Sequence, residues 1–268
     1  MRRHGRCVLE ISWPVGHTVR LIMPRLLPLC LLAMATAAPL PLRAEDPAVP
    51  APRAIDYEWM SIARWKEMHA EDVAIAAKGG VDVLFVGDSI TEGWEWNDGE
   101  HWKKHFAPLG AANFGIGGDT TQNVLWRLEH GAVGALRPKV VALLIGTNNL
   151  GREAATAADA ARGIEAVVAK LRAAFPAAKI VVHGVFPCDA SPTAEIRGRV
   201  AAVNERLRTL DGRDGQVVFR DLGAAFLETD GSISPAVMPD GLHLSPEGYR
   251  RWAAELVPLV GGLLAAGR

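Results

Sequence analysis

The chain is predicted to be an α/β protein, a three-layer, doubly wound domain built on a five-stranded parallel sheet. Five short apolar runs rich in Val and Ile recur with helix-like segments between them, the pattern of crossover units in a parallel sheet buried on both faces. At 268 residues and 49% hydrophobic, the chain can bury such a sheet within one domain.

The first 44 residues stand apart from that pattern. Leu26 to Leu42 is an apolar run interrupted by Pro28, Pro39 and Pro41, with Arg25 before it and Leu42-Arg43-Ala44 after it. Too short and too Pro-rich for a spanning helix, it reads as an export signal cleaved near Ala44, leaving a periplasmic or secreted chain with no stable membrane span. Such a signal would begin at Met23, so residues 1–22 read as a start-site overcall. The prolines of 45–55 suggest a linker, and the domain is expected over 56–265.

Within it, apolar groups at helical spacing run from Tyr57 to Lys78 and stop at Gly79-Gly80. The strands are expected at Val81 to Val86, Ala111 to Ile116, Val140 to Ile145, Lys179 to Phe186 and Val217 to Leu222. Helices fill the intervals at Thr120 to His130, Ala155 to Phe175 and Thr193 to Leu210, and Pro246 to Leu264 closes the chain. The arrangement is flavodoxin-like. No fixed-period repeat is present.

Beyond residue 44 the chain holds 23 Lys and Arg against 29 Asp and Glu, a net charge of −6 that disfavours nucleic acid as a partner. Cys188 is the one cysteine outside the leader, so no internal disulfide can form there. It reads as a half-buried bystander.

Four stretches carry the chemistry: Gly87-Asp88-Ser89, Gly117-Gly118-Asp119, Gly146-Thr147-Asn148-Asn149 and Asp240-Gly241-Leu242-His243. Each has an ordinary reading alone: a helix cap at Asp88 or Ser89, a turn at the glycine pair, a strand exit at Asn148-Asn149, and an accidental or partial metal spacing in Asp-x-x-His. The first three follow expected strands, and strand ends of an open α/β sheet share one crevice. Ser89 would sit where a strand turns into a helix, with its hydroxyl exposed. Of six histidines beyond the leader, His243 stands out because Asp240 precedes it by three residues in a Gly- and Pro-flanked loop, where it can hold the imidazole as a base. Gly118 offers a backbone N–H and Asn148 a side-chain amide to a developing oxyanion. Together they describe ester cleavage with Ser89, Asp240 and His243 catalytic, no metal and no cofactor.

These stretches resemble the four blocks of the SGNH (GDSL) hydrolase superfamily. Trp59-Met60-Ser61, Asn113-Phe114-Gly115-Ile116-Gly117-Gly118-Asp119-Thr120-Thr121-Gln122, Val124-Leu125-Trp126-Arg127-Leu128, Gly146-Thr147-Asn148-Asn149 and Leu242-His243-Leu244-Ser245 are most similar to the catalytic subunits of type Ib platelet-activating factor acetylhydrolases, across about residues 57–257. The resemblance implies the SGNH fold, Ser89 as nucleophile, and an oxyanion hole made by the N–H groups of Ser89 and Gly118 with the Asn148 amide. His243 becomes the base and Asp240 its orienting partner. It implies a short acyl group, acetyl above all, and suggests a homodimer. Departures around Trp94-Glu95-Trp96 and Cys188-Asp189, together with the leader, leave the alcohol half open: a small-molecule or glycan ester. Two further readings stand beside it, an acyltransferase using the same triad and a non-catalytic binding module.

Trp94, Trp96 and Trp126 are candidates for a substrate pocket or, equally, for core. Asp119 and Arg127 are candidates for a pair that supports the oxyanion loop. His101 and His105 sit four apart, but the intervening Trp102-Lys103-Lys104 supplies no carboxylate and adds positive charge, so they read as a solvated helix face. His183 reads as a packed core residue.

Overall fold

A computed structural model of the chain describes residues 8–12, 18–22, 46–97 and 99–266. The chain divides into two compact units, Met1–Arg43 and Ala44–Arg268. In the first, Val8–Ser12 pairs antiparallel with Thr18–Ile22, Val8 opposite Ile22. The expected export signal and its cleavage point lie outside the described residues. No helix among the described residues is long and apolar enough to cross a membrane.

The second unit holds the predicted sheet. Its strands are β1 (Val83–Gly87), β2 (Ala111–Gly115), β3 (Val140–Leu144), β4 (Lys179–His183) and β5 (Val217–Arg220). They lie in the order β2-β1-β3-β4-β5, all parallel, with Gly87 level with both Gly115 and Leu144. This is the doubly wound order whose switch point falls between β1 and β3.

Alternation of side chains across the pleat explains the continuous apolar runs. Leu84, Val86, Val141, Leu143, Ile180 and Val182 enter one core, which is closed by α3 (Thr121–Glu129), α5 (Ala157–Ala174) and α6 (Glu195–Leu207). Val83, Phe85, Val140, Ala142, Leu144 and Val181 enter the other, closed by α2 (Ser89–Trp96) and α7 (Pro246–Ala266). Both faces of β1 and β3 are therefore buried along their whole length. A short α4 (Thr147–Gly151) leaves the end of β3.

Two boundaries differ from expectation. Helix α1 covers Ile62–Lys78 rather than starting at Tyr57. Tyr57 and Met60 pair as an isolated antiparallel bridge, and Ser61 then caps the helix by accepting from the Arg64 N–H at 3.1 Å. The stretch expected as a linker is instead a strap docked on the domain. Pro47 and Ala51 carbonyls accept from Thr121 Oγ1 (2.7 Å) and Asn123 Nδ2 (3.0 Å), and the Ala51 N–H reaches Gln122 O at 3.2 Å. Prolines have no N–H to satisfy, so a Pro-rich stretch can lie on a surface with few backbone donors left to pair.

Candidate active site

Asp88 follows β1 directly and caps α2, its Oδ1 accepting from the Ile90 N–H at 3.0 Å. The cap and the nucleophile candidate are thus different residues, and Ser89, half-buried at the first turn, keeps its hydroxyl for other partners. Burial pushes the Asp88 carboxyl up to about 7. The close turn needs small residues: a Cβ on Gly87 would lie 2.1 Å from Thr91 Oγ1 and 2.4 Å from Leu144 O.

Ser89 Oγ lies 2.9 Å from His243 Nε2, and His243 Nδ1 lies 2.6 Å from Asp240 Oδ2. The other carboxylate oxygen, Oδ1, accepts from the Leu242 and His243 N–H groups at 2.9 and 2.7 Å. Burial alone would raise the Asp240 carboxyl, but hydrogen bonds from the His243 ring, the His243 N–H and the Leu242 N–H outweigh it and hold it below the usual range. An ionised carboxylate facing Nδ1 keeps the proton there, which leaves Nε2 as the acceptor for the serine hydroxyl. A side-chain hydrogen bond also ties together the segments that carry the two ends of the relay. Asn97, the C-cap of α2, donates through Nδ2 to Leu244 O at 3.2 Å, so the helix that begins at Ser89 is anchored beside His243.

The loop after β2 faces the same end of the sheet. Gly117 N–H donates to Glu92 Oε2 at 2.6 Å, and Arg53 Nη2 donates to Gly117 O. Gly118 sits at φ +76°, a conformation glycine adopts without strain, and among the described residues its N–H has no acceptor. Asn148 Nδ2 donates to Asp119 O at 2.9 Å while its Oδ1 accepts from Arg152 Nε at 3.2 Å, which orients the amide and leaves its second N–H free to point at a ligand.

Below that loop runs a buried ionic chain. Arg127 donates through Nε to Asp119 Oδ2 (2.8 Å), through Nη1 to Asp72 Oδ2 (3.0 Å) and through Nη2 to Phe114 O (2.9 Å). Asp119 Oδ1 also accepts from Trp65 Nε1 at 2.7 Å and Arg53 Nη2 at 3.1 Å. Side chains of Arg53, Arg127 and Asp119 are at most 2% exposed, so the Asp119–Arg127 pair is internal rather than a surface bridge. Two guanidiniums and two carboxylates neutralise each other there, as buried charges must.

The tryptophans separate. Trp94 is fully buried against Phe106, Tyr249 and Trp252, with ring centroids 4.8–5.2 Å away, so it is core and not a pocket wall. Trp96 is 61% exposed at the far end of α2, about 10 Å along the axis from Ser89 at 1.5 Å per residue. Trp126 is half-buried, stacks on His130 at 3.9 Å and meets Trp65 at 5.3 Å with the planes tilted by 42°. His101 and His105 stack at 5.8 Å, and no group of three metal-ligating side chains exists among the described residues. His183 is buried, and burial pushes it down to about 3. Burial likewise raises the half-buried Cys188 thiol, the opposite of activation.

Glu92, Arg53 and Arg152 escaped the sequence reading. Glu92 had a local signal: at three residues past Ser89 on one helix it shares the face of Ser89. Because it fixes the peptide just before Gly118, Glu92→Ala is expected to lower kcat about 10- to 100-fold with KM little changed, a fraction of what one oxyanion donor supplies. Glu92→Gln, whose amide oxygen can still accept, should stay within a few-fold of the parent. Equal losses in both variants, read by steady-state kinetics, would remove the assignment.

A doubly wound sheet carrying a hydroxyl–imidazole–carboxylate relay at its switch point, beside unpaired N–H donors, defines a carboxylic ester hydrolase. Comparison with known proteins narrows that class. The sequence model of the GDSL-like lipase/acylhydrolase family matches residues 85–251, and the chain belongs to this family. It is 39% identical over 201 residues to the platelet-activating factor acetylhydrolase IB subunit alpha2 of Homo sapiens, covering 75% of this chain and 85% of that one. The alpha1 subunit of Bos taurus is 40% identical over 186 residues, covering 69% and 78%. Among solved structures, a GDSL-like lipase from Bacteroides thetaiotaomicron superposes with a TM-score of 0.62 at 22% identity, covering 75% of this chain and 98% of that one. The acetylxylan esterase Axe2 from Geobacillus stearothermophilus does so at 0.55 and 19%, covering 70% and 97%. These two share the fold.

Proposed function

We propose that the protein hydrolyses short-chain carboxylic esters, acetyl esters above all, through an acyl-enzyme on Ser89. The observation that carries this is the continuous Ser89–His243–Asp240 hydrogen-bonded relay. His243 Nε2 takes the hydroxyl proton as Ser89 Oγ attacks the carbonyl carbon, and Asp240 stabilises the imidazolium. The oxyanion is received by the Gly118 N–H, the free N–H of Asn148 and the Ser89 N–H. Collapse expels the alcohol, protonated by His243, and water repeats the sequence against the acyl group. The acetyl preference is supported by the relatives named acetylhydrolase. Hydrolysis is favoured over acyl transfer by the openness of the relay, whose His243 and Asp240 side chains are 37% and 55% exposed and so admit water. We also read the leader as an export signal cut near Ala44, which places the substrate outside the cytoplasm.

A fluorophosphonate tests the nucleophile directly, because it traps an activated serine and nothing else in the relay. The expected label is on the tryptic peptide carrying Ser89. On p-nitrophenyl esters, kcat/KM is expected to fall at least 10-fold between acetate and octanoate. A label on another residue, or a preference for the longer chain, would overturn the reading.

A further inference from the structure

We propose that Trp59 is a stacking platform for a pyranose ring, and hence that the alcohol half of the substrate is an O-acetylated sugar. This rests on the ester-hydrolase reading of the site. The indole is 53% exposed, yet it packs on the donor loop. Its Cη2 atom lies 2.9 Å from where a Cβ on Gly118 would stand, and its Cζ3 lies 3.0 Å from the corresponding point on Gly117. Two consecutive glycines are what allow the ring to come so close to the proposed oxyanion donor. Any side chain at Gly117 or Gly118 would push it away.

The ring is also held rigidly. Trp59 stacks on Tyr57 with centroids 5.1 Å apart and planes 6° from parallel. The Arg152 guanidinium lies 4.6 Å from the Tyr57 centroid and 5.5 Å from that of Trp59. Arg152 in turn bonds Asn148, so the aromatic pair is braced against the second oxyanion donor as well as the first. The Tyr57–Met60 bridge closes the turn that presents the indole.

What singles out this exposed indole is its place against the two glycines of the donor loop, where a ligand held at the oxyanion donors would lie within reach of the ring. The shape of the surface says what. A single flat ring matches the C–H face of a pyranose, which stacks on an aromatic face while its hydroxyls remain at the edge. Those hydroxyls would meet polar groups, since the exposed Arg152 and the Glu92 carboxylate border the same ring. An alkyl chain would need a continuous apolar trough, whereas the exposed Arg152 and the part-exposed Glu92 interrupt the surface. A quaternary ammonium is disfavoured because a guanidinium already lies over both rings.

The test compares the parent with Trp59→Ala and Trp59→Phe on acetylated xylooligosaccharides and on vinyl acetate, whose alcohol half is too small to reach the platform. Trp59→Ala is expected to raise KM for the oligosaccharide at least 10-fold and to lower the oligosaccharide-to-vinyl-acetate ratio of kcat/KM by a similar factor. Trp59→Phe should recover part of both. In parallel, Ser89→Ala is titrated calorimetrically with acetylated xylotetraose, with and without Trp59→Ala, and adding Trp59→Ala is expected to weaken binding at least 10-fold. Equal losses on both esters would show Trp59 to be a brace for the loop and overturn the platform, as would no change. A selective loss on an acetylated ether phospholipid would overturn the sugar assignment. Should the folded parent cleave no ester while the calorimetric difference persists, the hydrolase reading fails and the platform stands. Should the parent cleave vinyl acetate while Ser89→Ala binds no oligosaccharide, the reverse holds.

Discussion

Ser89→Ala is expected to lower kcat on p-nitrophenyl acetate by a factor of about 10⁴ to 10⁶ while shifting Tm by less than about 2 °C. The two halves of that result have separate causes. The hydroxyl is the only group in the site placed to attack a carbonyl with a base at 2.9 Å, so nothing else can form the acyl intermediate. The residual rate would come from the oxyanion donors, which remain in place. Stability is spared because the Ser89 side chain makes one hydrogen bond, to a His243 that keeps Asp240. The helix cap belongs to Asp88, so α2 starts as before. Retention of a tenth or more of the parent rate would reject the nucleophile, and a Tm loss of several degrees would mean that the relay is also a structural strut. His243→Ala should cost about as much as Ser89→Ala, and the double variant little more, because the pair acts as one unit.

Most of this site could be read before any coordinates, for a definite reason. Three of its four stretches fall at strand exits, and strands buried on both faces announce themselves as unbroken apolar runs such as Val83 to Val86 and Val140 to Leu144. The relay partner His243 was recoverable because Asp240 stands at a spacing a single turn can close. What stayed hidden is what depends on contacts across long stretches of chain. Arg53 meets Gly117 and Asp119 from 64 and 66 residues away, and no local pattern encodes that. The prolines around it suggested a linker, when the Pro47 carbonyl and both backbone groups of Ala51 in fact fasten a strap.

The tryptophans show a different limit. Trp94 and Trp96 lie two apart, which on a helix means nearly opposite directions. One enters the core beside Trp252 and the other faces solvent. Sequence named the residues but could not phase the helix, because α2 has only eight residues and apolar groups on both sides. The exposed indole next to the donor loop, Trp59, was visible only as part of a resemblance motif. Its neighbours Tyr57 and Met60 mimic helical spacing, but a backbone bridge between them holds them out of α1, which starts only after the Ser61 cap.

The largest stability effect is expected at Arg127, 1% exposed and bonded to Asp119, Asp72 and Phe114 O. Arg127→Met fills a similar volume but leaves two buried carboxyls without their common cation. Breaking such a pair costs about 3–5 kcal/mol, or about 6–20 °C in Tm for a domain of this size. The pH dependence distinguishes charge loss from mere repacking. Burial already raises Asp72 to about 7 while Arg127 opposes the shift, so removing the cation raises it further. A carboxyl whose folded pKa exceeds its unfolded value near 4 binds more protons in the native state, and stability falls as pH rises through that interval. The deficit of Arg127→Met is therefore expected to be smaller at pH 5 than at pH 8, as measured by urea unfolding at both. A deficit that grows in acid, or one independent of pH, would mean that Arg127 serves by packing alone. Because Asp119 also holds Arg53, and Arg53 holds Gly117 O, the surviving folded fraction should show a reduced kcat as well, coupling the ionic chain below the sheet end to the donors above it.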